Sequence, residues 1–172
     1  VVHRTVPALT VWIYETALGA AAAEVRLRTL RDRDALKVHD AITVSWMPGS
    51  HRPRIGHLRH GTSTPAARGS VLGGLVRLIF LAPATGSGLA DLAQRLRGTG
   101  IDQTFLEEVK ALLHPESSAL LLLSGGADLD VVRPAIERGL AHGDVVLIHA
   151  QMPLDAPAML REAVRELPGH GS

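Results

Sequence analysis

The sequence predicts an α+β domain: a ferredoxin-like split β-α-β sheet with an inserted Gly/Ala-rich helical hairpin and an extra C-terminal helix. Three observations predict it. Short β-rich or alternating runs recur near residues 9–15, 41–47, 118–123 and 144–150, and segments of helical periodicity lie between them. Their order is β-α-β-β, a helical insertion, then α-β-α-β and a last helix, which is how split β-α-β units are written. The chain has 172 residues, 46% of them hydrophobic and 20% charged, which suits one globular domain spanning residues 1–172. Aromatic residues make up only 3%, so Leu, Val, Ile and Ala must build the core.

Leu9 to Glu15 holds Val11, Trp12, Ile13 and Tyr14 in a row and reads as a central strand. Thr16 supplies an N-cap for a helix from Ala17 to Arg33. Ala20, Ala23, Leu27 and Leu30 fall on one face of that helix, with Arg26, Arg28, Arg31 and Arg33 mostly toward solvent. From Ala41 to Met47, Ile42, Val44 and Trp46 alternate with Thr43 and Ser45, the period of a half-buried strand. Met47-Pro48-Gly49-Ser50 is a turn, and Arg54 to His60 returns as a second hairpin strand. Gly56 within it predicts a bulge or a close backbone approach.

Residues 64–98 form the insertion, two short helices broken at Pro83 to Ser87. Ala66, Ser70 and Gly74 repeat every fourth residue, with Gly69 and Gly73 alongside. Small residues at that spacing let helix backbones approach closely. Asp102 caps a helix from Gln103 to His114, whose apolar side is Phe105, Leu106, Val109 and Leu112/Leu113. Ser118 to Leu123 is a continuous apolar strand, and Asp144 to Ala150 a second buried one. The Ser124-Gly125-Gly126-Ala127-Asp128 segment between strand and helix lacks G-x-G-x-x-G and a phosphate-loop lysine, so a tight β-α turn is expected there. A helix follows from Asp128 or Asp130 to about Ala141. Residues 154–168 are a last amphipathic helix, begun by Asp155, with Leu160, Ala163, Val164 and Leu167 on one side.

The absence of cysteine excludes disulfides, thiolate metal sites and cysteine nucleophiles. The formal net charge is +1, so any attraction to anions comes from local clustering. No signal-peptide pattern opens the sequence, which does not begin with Met. No run reaches the ~20 apolar residues of a membrane span; the longest, Val71 to Ala82, carries Arg77.

Four segments carry a family resemblance: ALKVHDAITVSW (residues 35–46), RGSVLGGLVRLIFLAPATG (68–86), GIDQTFLEEVKALLHPESSALLLL (100–123) and GDVVLIHAQM (143–152). In this order they resemble a bacterial family of small membrane proteins of unknown function, domain of unknown function family 1269. The resemblance spans about Leu9 to Met152 and ends before the C-terminal helix. It implies the fold above and membrane association, and it brings no catalytic residue and no cofactor. The second insertion helix departs from the family pattern, being short and carrying Asp91, Arg95 and Arg97. A charge at the centre of a bilayer costs ~2.5–3.5 kcal/mol. Peripheral contact or packing in a soluble oligomer is therefore expected rather than a spanning hairpin.

Two sets of residues are candidate contacts. Ala66, Gly69, Ser70, Gly73, Gly74, Leu78 and Phe80 are expected to meet a second copy or a membrane. Arg52, Arg54, His57, Arg59, His60 and Arg68 lie in a stretch with no acidic residue between Ser45 and Ala90 and are expected to face an anionic surface such as lipid. Nucleic acid is not an expected partner, because no aromatic residues for base stacking are interleaved with these cations. His57 and His60 are three apart on a strand and diverge, so no metal site is expected. No G-x-S-x-G elbow is present, and Glu107, Glu108 and His114 read as a solvated helix face. The expectation is a cytoplasmic, non-enzymatic protein without a cofactor, peripheral to the inner membrane, that self-associates through its insertion. The alternative is a small-ligand or anion-binding sensor with a pocket between sheet and insertion.

Overall fold

The leucine-rich run Ser118–Leu123 lies at the centre of the sheet, because leucines in succession suit a strand buried on both faces. The computed structural model describes residues 6–34, 36–57, 71–81, 88–127 and 145–165. In chain order they form β1 (Ala8–Tyr14), α1 (Gly19–Asp32), β2 (Leu36–Ser45), β3 (Arg54–His57), α2 (Val71–Leu81), α3 (Gly88–Arg95), α4 (Gln103–Leu112), β4 (Ser118–Ala127), β5 (Val145–Gln151) and α5 (Ala156–Arg165). The sheet order is β3-β2-β4-β1-β5, with every neighbouring pair antiparallel. The chain is thus α+β, with the described helices outside the sheet. The helix expected from Asp128 to Ala141 falls outside the described residues.

Each sheet face has its own apolar cluster. Leu9, Val11 and Ile13 of β1, Ile42 and Val44 of β2, and Ala119, Leu121 and Leu123 of β4 share the larger one, which α2, α3, α4 and α5 cover. Leu120, Leu122 and Ala41 point the other way, under Ala20, Ala23, Leu27 and Leu30 of α1. Fully burying a side chain of this kind stabilises the fold by roughly 1.5–3 kcal/mol. The face of α1 read from its periodicity is the face that is buried.

Several local expectations hold. Asp102 caps α4, its carboxylate accepting from the Phe105 N–H at 2.8 Å. Gly56 is a close approach: a Cβ there would lie 2.7 Å from Thr43 Oγ1 across the β2–β3 ladder.

Three others are corrected. Thr16 does not cap α1, which starts at Gly19; the cap comes from β4, where Ser118 Oγ accepts from the Ala20 N–H at 2.9 Å and donates to the Thr16 carbonyl at 2.6 Å. Residues 124–127 are not a turn but the continuation of β4, where Ser124, Gly126 and Ala127 pair with Val38, Lys37 and Leu36 of β2. The strand near 144–150 is not buried on both faces. As β5 it lies at an edge and pairs only with β1 among the described strands; along it Ile148 and Ala150 are buried, while His149 on the opposite face and Val146 near the strand's start are exposed.

Candidate functional site

The described residues of α2, within the insertion, are built into the chain's own core. Val71, Leu72, Leu75, Val76 and Ile79 are buried in the larger cluster, and Gly73 and Gly74 are buried with them. A helix apolar on most sides needs neighbours on more than one side. Here β2, α3, α4 and α5 of the same chain supply them. Leu78 and Phe80 are half-buried against that cluster, and Arg77 is exposed. Ala66, Gly69 and Ser70 lie outside the described residues. Asp40 of β2 secures the start of α2, its carboxylate accepting from the Leu72 N–H at 3.0 Å.

The β2–β3 turn gathers the described part of the basic set. Trp46 Nε1–H donates to the Ser50 carbonyl at 2.9 Å, and Ser50 Oγ–H donates to the Arg52 carbonyl at 2.8 Å. The Trp46 ring meets Phe80 edge to face, centroids 5.7 Å apart at 88°, which ties the turn to α2. On this rigid base Met47, His51, Arg52 and Arg54 are exposed together. His57 pairs with Ile42 in the ladder, and its side chain is outside the described set, as are Arg59, His60 and Arg68.

Two register shifts between β2 and β4 make a second polar locality. Val38 faces Ser124 while Lys37 faces Gly126 and Asp40 faces Leu123, so Gly125 of β4 and His39 of β2 are each skipped in this ladder. The His39 imidazole rests on Gly125, where a Cβ would collide with the ring, which explains a glycine inside a buried strand. Burial, then the charges of Lys37 and Arg161, hold the His39 imidazole below its ordinary value. Among the described residues no three His, Asp or Glu side chains cluster closely enough to hold a metal ion.

The outward face of α1 is the feature that sequence reading missed. Leu18, at the helix start, is 71% exposed and Val25 is 63% exposed. Ala21 and Ala22 between them are exposed as well. The spacing 18, 21, 22, 25 is i, i+3, i+4, i+7, a stripe opposite the buried Ala20, Ala23, Leu27 and Leu30. The signal was present in the sequence, but the arginines around it marked the whole side as solvated. Beneath the helix, burial pushes the Tyr14 phenol above its ordinary value, and the Arg26 guanidinium offsets this in part.

Among the described residues no helix is long and apolar enough to cross a membrane. The profile of a family described as "Protein of unknown function (DUF1269)" matches residues 66–165, more than half of the chain. The match begins at the insertion and runs through α5, so the C-terminal helix lies inside the family's extent and not beyond it. No curated protein and no solved structure matches the chain.

Proposed function

Because the chain belongs to the DUF1269 family, whose description carries no activity, we propose a function from its own surfaces: a non-enzymatic interaction domain that self-associates. One observation carries this reading. The described residues of α2 pack within the chain, yet Leu18, just before α1, and Val25, on it, remain exposed. Exposed apolar area arranged as a stripe, rather than scattered, marks a contact surface. The buried polar side chains have structural partners that fit this reading: Ser117 closes the turn after α4, Thr99 the turn after α3, and Ser118 the start of α1. The order β3-β2-β4-β1-β5, with α1 between β1 and β2, supports a ferredoxin-like split sheet with β3 added at one edge.

Light scattering and sedimentation velocity over a concentration series test the proposal. Self-association without detergent or lipid is expected. A monodisperse monomer throughout would overturn it.

A second reading, contact with an anionic surface, is favoured by the β2–β3 turn. Its cations are presented beside exposed Met47 on a base fixed by Trp46. Lipid headgroups attract such clusters at ~1 kcal/mol per cation near the surface.

A further inference from the structure

We draw no further inference here: the strongest candidate, the turn between β2 and β3 that exposes Met47, His51, Arg52 and Arg54, belongs to the anionic-surface reading already given, and nothing in the structure shows what covers it.

Discussion

Single side chains in this protein join segments that lie far apart in the sequence. Ser118 is buried and holds the start of α1 by two hydrogen bonds, one accepted from the Ala20 N–H and one donated to the Thr16 carbonyl. Ser118→Ala removes both and leaves two backbone groups without this partner. A loss of about 1–3 kcal/mol is expected in urea unfolding, and an unchanged midpoint would mean the cap does not matter. His39 gives a pH signature of definite sign. Its pKa in the folded protein is lowered from 6.5 by burial and then by Lys37 and Arg161, so protons prefer the unfolded chain. Its contribution is therefore fully present above about pH 6.5 and is lost as pH falls toward the lower folded value. His39→Gln should flatten the pH dependence of Tm in that window. Equal slopes for wild type and variant would remove His39 from the account.

Whole elements follow the same rule: local pattern sets their type, and distant segments set their surroundings. The buried face of α1, the Asp102 cap and the alternation in β2 were legible because each depends on neighbours within a turn or two. The edge position of β5 was not, since an apolar run reads alike whether it pairs with one strand or two. Gly125 and Gly126 read as a turn because glycine weakens strands; pairing of Gly126 with Lys37 and of Ser124 with Val38 keeps the segment extended around Gly125. The insertion residues read as sticky because periodicity reports how apolar a helix is and not who surrounds it. Of the candidate contacts, the exposure of Arg52 and Arg54 followed from a turn rich in Pro and Gly, while Gly73 and Gly74 are buried and Leu78 and Phe80 half-buried within the chain. Two predictions belong here. Leu75→Ala in α2 should cost roughly 2–5 kcal/mol of stability, read by chemical denaturation. A loss below ~1 kcal/mol would show that α2 is not a core element. Arg52→Glu with Arg54→Glu should reduce sedimentation with anionic vesicles at low salt and leave neutral vesicles unaffected. Identical binding by wild type and variant would exclude the turn as a membrane contact.

At the scale of the molecule, β4 is the member shared by both cores. It sends Leu121 and Leu123 to one face and Leu120 and Leu122 to the other, and it pairs with β1 on one side and β2 on the other. Opening β4 therefore breaks two ladders and two apolar clusters at once, whereas fraying β3 or β5 breaks one ladder. Amide hydrogen exchange should rank accordingly, with β4 and β1 slowest and the outward amides of β5 fast. The same measurement separates two ways of assembling. An exposed strand edge invites pairing with another chain, and among the described strands β5 lies at such an edge, with Val146 exposed on it. If copies joined there, the outward amides of β5 would slow as concentration rises. Pairing through α1 leaves them unchanged and reduces the solvent accessibility of Leu18 and Val25 instead. Exchange followed by mass spectrometry at low and high protein concentration, with hydroxyl-radical labelling of those two side chains, distinguishes the routes. Protection gained at β5 with no change on α1 would move the contact from the α1 face to the sheet edge.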